Sequence, residues 1–177
     1  MLPRFIFLTG FMGSGKTTLG KKTASLLSYR FIDLDVFIES AGQKTIPDIF
    51  KEQGETAFRA LETQHLETII TSSGDPVLVS LGGGTICSEK NLMLVKEAGL
   101  LVYIEMDEKA LVSRLTQNAG GRPLLSQLKQ EEIPDFVSAR LKERRPFYER
   151  AHLRVNGLNL TPQQLYSEIL SASAHTL

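Results

Sequence analysis

Residues 4–17 read R-F-I-F-L-T-G-F-M-G-S-G-K-T. The first six form an apolar, β-rich run, the next eight match G-x-x-x-x-G-K-[ST], and a helical rhythm follows. In that setting the glycines let the backbone curl so that successive N–H groups turn inward toward phosphate oxygens. The helix behind them adds the positive end of its dipole. Lys16 reaches the outer phosphates as a point charge, and the Thr17 hydroxyl is a ligand for Mg²⁺. A strand, a glycine loop and a helix in this order make a nucleoside triphosphate site of the P-loop kind. They leave open what receives the phosphate.

Outward from that loop the chain alternates between short apolar runs and longer helical periods. Strands are expected at 4–9, 30–34, 76–81, 100–105 and 153–155. Helices are expected at 17–28, 36–41, 46–53, 55–72, 88–97, 108–115, 131–150 and 161–173, with residues 118–127 as a polar, glycine-rich loop. Alternation of this kind builds βαβ units, hence a parallel sheet covered by helices on both faces. At 177 residues, without repeats or a Pro/Gly/Ser-rich linker, the chain is expected to form a single domain, 1–177.

Composition removes several classes of function. Lys and Arg total 20 and Asp and Glu total 20, so the broad basic footprint of a nucleic-acid binder is missing. One cysteine, Cys87, excludes an intrachain disulfide and a four-cysteine zinc site. No apolar run is long enough to span a membrane, and the short run before Gly10 does not make a signal peptide. We therefore expect a cytoplasmic protein. No long exposed apolar stripe is evident, so a monomer is expected too.

Several residues beyond the loop are candidates for the acceptor side. Asp33 and Asp35 flank Leu34 at the end of the second strand, where two residues spaced by two point the same way into the crevice. One carboxylate there holds Mg²⁺ through water and the other takes the proton of an attacking hydroxyl; the competing reading is that Asp35 caps the next helix. Arg59 lies between Glu55 and Glu62 at helical spacing, which taken alone reads as a surface ion-pair ladder. Gly82, Gly83 and Gly84 end a strand, marking either a close backbone approach to an anion or a flexible turn. Arg122 sits in the polar loop, as suits a lid closing over phosphates. Arg144, before Pro146, signals little by itself. Cys87 reads as a packed small residue, and the three histidines are too scattered to make a site.

Taken together, F-M-G-S-G-K-T, D-L-D, F-R-A-L-E, the triple glycine, R-P-L-L and R-R-P-F-Y-E resemble the shikimate kinase family through nearly the whole chain. The resemblance implies a P-loop NTPase fold of the nucleoside-monophosphate-kinase type, five parallel strands in order 2-3-1-4-5, with a lid at about 116–128 and a substrate-binding region at about 34–62. It implies transfer of the γ-phosphate of ATP to the 3-hydroxyl of shikimate, on the route to chorismate and aromatic amino acids. In that scheme Gly13, Ser14, Gly15, Lys16, Thr17 and Thr18 hold ATP phosphates, and Thr17 and Asp33 serve Mg²⁺. Asp35 binds the acceptor hydroxyls and orients or deprotonates one of them. Arg59 and Arg144 clamp the carboxylate, assisted by backbone at Gly82 and Gly83, and Arg122 is the lid arginine. Residues 157–160 lack the basic residue that some members place against adenine, which leaves Arg114 as a candidate for that role. The alternative is a gluconate-kinase-like or nucleotide-kinase-like phosphotransferase.

Overall fold

The run at residues 4–9 becomes the central strand of the sheet. The computed structural model describes residues 1–117 and 128–175, so the lid candidate Arg122 and most of the expected lid lie outside the described residues. Along the described chain the elements are β1 (Phe5–Thr9), α1 (Lys16–Leu27), β2 (Arg30–Asp33), α2 (Leu34–Gly42), α3 (Ile46–Ser72), β3 (Val77–Ser80), α4 (Glu89–Ala98), β4 (Leu100–Glu105), α5 (Glu108–Gln117), α6 (Ile133–Tyr148), β5 (Leu153–Asn156) and α7 (Pro162–His175). All five strands pair in parallel in the order β2-β3-β1-β4-β5, as the resemblance implies.

Side-chain alternation along the strands divides the core into two layers. Phe5, Phe7, Val77, Val79, Leu101 and Tyr103 face α2 to α6. Ile6, Leu8, Leu78 and Val102 face α1 and α7, against Ala24, Leu165 and Ile169. Both faces are therefore dry, which is why β1 is apolar from Phe5 to Leu8 rather than alternating with polar residues. The chain passes from β1 to β2 and β3 on one side, then crosses to β4 on the other. The crevice for ligands opens at the carboxyl ends of the strands, at this reversal.

Two local departures bear on the site. The expected strand 30–34 stops at Asp33, and α2 begins at Leu34. Asp33 causes this: its Oδ1 accepts the N–H groups of Asp35 at 3.1 Å and Val36 at 3.4 Å, an N-cap that starts the helix. The two aspartates therefore do not share a strand face, and Asp33 rather than Asp35 is the cap. The expected helices 46–53 and 55–72 are joined as α3 across Gly54, whose φ of 81° and ψ of 175° kink the axis. That conformation is open essentially to glycine alone.

Candidate active site

At the donor end, Gly13 and Gly15 take positive φ values of 84° and 92°, and α1 starts immediately behind them. Lys16 is buried, and its Nζ donates to the carbonyls of Gly10 at 2.7 Å and Phe11 at 3.0 Å. The ammonium is thus held at the loop by the loop's own backbone. Ser14 turns inward, with its Oγ buried and unpaired among the described residues, while its N–H closes onto the Phe11 carbonyl at 3.2 Å. Thr17 and Thr18 line a cavity of about 330 Å³ together with Lys16, Asp33 and Asp35. Thr17 Oγ1 donates to Asp33 Oδ2 at 2.7 Å, and Ser80 Oγ lies 3.5 Å from it. These hard oxygen donors fit Mg²⁺, which keeps several waters and phosphate oxygens as its other ligands. Arg114 reaches the same loop, donating to the Gly13 carbonyl at 3.2 Å.

A second cavity, of about 280 Å³, adjoins the first. Asp35 lines both, from the first turn of α2. Burial raises its carboxyl from the ordinary 3.8 to about 6, helped by the negative charges of Asp33 and Glu62 and opposed by Lys16. Phe50 and Phe58, with ring centroids 4.8 Å apart, add an apolar wall from the two arms of α3.

Arg59 comes from α3 and is not part of an exposed ladder. Its Nη1 donates to Glu62 at 2.6 Å and its Nη2 to Glu55 at 2.9 Å, and Glu62 is fully buried. Glu62 also accepts from the Thr85 hydroxyl. Asn91 in turn holds the Thr85 carbonyl at 2.8 Å and accepts from Thr63 at 2.8 Å. The guanidinium is thereby fixed from behind by a buried polar network. The sequence shows the pairing of Arg59 with Glu55 and Glu62 but not the burial of Glu62; Thr85 and Asn91 are the residues it does not disclose.

Arg144, which signals little in the sequence, is buried at the site. It is 7% exposed, sits 5.6 Å over the Phe11 ring and forms no ion pair among the described residues. A buried cation without a counterion is costly, so this wall of the cavity is made for an anion.

The triple glycine explains how these groups converge. A Cβ on Gly82 would lie 2.9 Å from Asp35 Oδ1 and 3.0 Å from Glu62 Oε1. On Gly83 it would meet Arg144 Nη1 at 3.2 Å, and on Gly84 it would meet Arg59 Nη1 at 2.7 Å. The turn is bare because two carboxylates and two guanidiniums close on it. Its carbonyls are all used: Gly82 accepts from Thr85 N–H at 3.2 Å, Gly84 from Cys87 N–H at 3.0 Å, and Gly83 from the Tyr148 hydroxyl. Its three N–H groups find no acceptor among the described residues.

Known proteins resemble this chain in sequence and in fold. The family model described as shikimate kinase matches residues 12–174. A shikimate kinase of Bacteroides fragilis is 42% identical over 147 residues, 83% of this chain and 81% of its own length. The structure of the Acinetobacter baumannii shikimate kinase in complex with shikimate superposes with a TM-score of 0.87 at 33% identity, covering 99% of this chain and 95% of that one. A gluconokinase of Sinorhizobium meliloti, with a TM-score of 0.60 at 18% identity over 99% of this chain and 94% of its own, shares the fold alone. With a family model running from the glycine loop to the last helix, and a relative this similar over four-fifths of both chains, the chain belongs to the shikimate kinase family.

Proposed function

We propose that the protein transfers the γ-phosphoryl group of ATP to the 3-hydroxyl of shikimate, releasing ADP and shikimate 3-phosphate. The observation that carries this reading is the single carboxylate, Asp35, common to the two cavities: whatever passes from the triphosphate to the acceptor passes beside it. The acceptor oxygen attacks the γ-phosphorus, its proton goes to Asp35, and the bond from phosphorus to the β–γ bridging oxygen breaks. With a pKa near 6, Asp35 is mostly ionised at neutral pH yet basic enough to take that proton.

Gly13, Gly15, Lys16, Thr17 and Thr18 cradle the phosphates, with Ser14 contributing its place in the turn. Thr17 and Asp33 hold Mg²⁺, which when bound neutralises charge on the transferring group. Arg59 and Arg144 grip the shikimate carboxylate from two sides, and Gly82 and Gly83 offer N–H groups to the acceptor. Segment 34–62 supplies Asp35 and Arg59, and Arg122 acts from the lid, at about 116–128. Arg114, which donates to the Gly13 carbonyl, is the candidate to pack against adenine. The protein works as one domain, a monomer in the cytoplasm; among the described residues no helix is long and apolar enough to cross a membrane.

A coupled ADP-release assay with shikimate, gluconate and nucleoside monophosphates tests the acceptor. Turnover with shikimate alone is expected. Turnover of gluconate or a nucleotide with none of shikimate overturns the assignment.

A further inference from the structure

Tyr148 ends α6 one helical turn after Arg144, and nothing above gives it a task beyond its bond to the Gly83 carbonyl. It is fully buried, and its ring stacks on Tyr103 of β4 with centroids 5.0 Å apart. The phenol is therefore anchored to the sheet on one side and bonded to the glycine turn on the other. Burial pushes its ionisation well above the usual tyrosine range, so it remains a donor at any working pH.

The consequence lies in the peptide plane. The described residues include no cis bonds, and in a trans peptide the N–H points opposite to the carbonyl it shares a plane with. Fixing the Gly83 carbonyl on Tyr148 therefore fixes the Gly84 N–H in the opposite direction. That N–H has no acceptor among the described residues, and Gly84 both lines the acceptor cavity and packs against the Arg59 guanidinium. Gly83 has no side chain to hold its peptide by packing, and its only other donor among the described residues is the weak Cys87 thiol at 3.9 Å, so the hydroxyl supplies most of what the glycine lacks.

We propose that Tyr148 is a positioning residue for phosphoryl transfer: its hydroxyl clamps the Gly83 carbonyl and so aims the Gly84 N–H, beside Arg59, at the carboxylate of the acceptor. The inference rests on the acceptor reading above. Tyr148→Phe removes the oxygen and keeps the ring and its stack. The expected result is a rise of roughly three- to tenfold in KM for shikimate, the worth of one hydrogen bond, with kcat and KM for ATP within about twofold of the parent. The ratio of kcat/KM for shikimate to that for a ring triol lacking the carboxylate falls by the same factor. Because this ratio does not depend on how much of the sample is folded, a destabilised variant still answers the question. An unchanged ratio overturns the proposal, as does an equal rise in both KM values. Failure of the parent protein itself to phosphorylate shikimate sinks the acceptor reading instead, and is seen before any variant is made.

Discussion

The glycine loop takes its polar groups from one stretch, residues 10–17, whereas the acceptor cavity draws on α2, α3, α6 and the turn at 82–84. The two regions also differ in how far they satisfy themselves. Lys16 is hydrogen-bonded to two carbonyls of its own loop, so the donor cation is held by local backbone, although the Ser14 hydroxyl there is buried without a partner among the described residues. The acceptor site is left unbalanced. Among the described residues Arg144 is buried without a counterion and three glycine N–H groups have no acceptor, while Asp35 is held near a pKa of 6. In the proposed function, a ligand common to many reactions is met by local backbone geometry, whereas a particular acid is met by groups whose missing partners it supplies, with stability lost there in exchange.

The sharpest way to break this contrast is Lys16→Ala. Removing a charge aimed at the transferring group should lower kcat by about 10³-fold with any acceptor, on the scale of losing a transition-state donor. Binding of shikimate without ATP, read by calorimetry, should stay near the parent value. Loss of shikimate binding would merge the two halves that the geometry separates.

Asp35→Asn tests the element they share. It should lower kcat by about 10²-fold, with little change in ATP affinity. It also has a signature in stability. The Asp35 carboxyl ionises near 6 in the folded chain against an ordinary 3.8, so between these values the folded chain binds more protons than the unfolded one. Stability therefore falls as pH rises through that window. Above it, the Asp35→Asn substitution removes a cost of about 3 kcal/mol, and the melting temperature at pH 8 should rise by roughly 6–12 °C. At pH 4 the gain should nearly vanish. A variant inactive at both pH values and stabilised at neither would place Asp35 outside the buried, like-charged setting described above.

The same contrast governs what the sequence discloses. The glycine loop is legible because its spacing is its geometry, and the strand order follows from the family resemblance that begins with it. D-L-D is half legible: the carboxylates line the cleft, but the spacing alone does not tell that the local cap starting the helix comes from Asp33, which turns Leu34 and Asp35 out of the strand. Arg59 and Arg144 resist reading one at a time. A charge between two glutamates looks like a solvated ladder until α4 and the 82–84 turn bury Glu62, and an arginine before a proline looks solvated until Phe11 covers it. The triple glycine leaves turn and close approach undecided, since only the assembled site shows four charged groups on its three bare Cα atoms.

The smallest and most selective perturbation is Gly84→Ala. Gly84 is not among the glycines with positive φ, so its backbone accepts a side chain without strain. The new Cβ would instead lie 2.7 Å from Arg59 Nη1 and 2.8 Å from Nη2, closer than real contacts allow. Arg59 has to yield, because the turn is held by three carbonyl bonds whereas the guanidinium ends a flexible chain. It is tethered by Glu62 and Glu55, so it shifts rather than swings free. KM for shikimate should rise by roughly tenfold, the worth of a charge-assisted hydrogen bond, while KM for ATP holds. Gly74→Ala is the control, since a Cβ there meets nothing within 4 Å. If Gly84→Ala leaves KM for shikimate untouched, Arg59 does not bind the acceptor, and its pairing with Glu62 and Glu55 only braces α3 against the 82–84 turn.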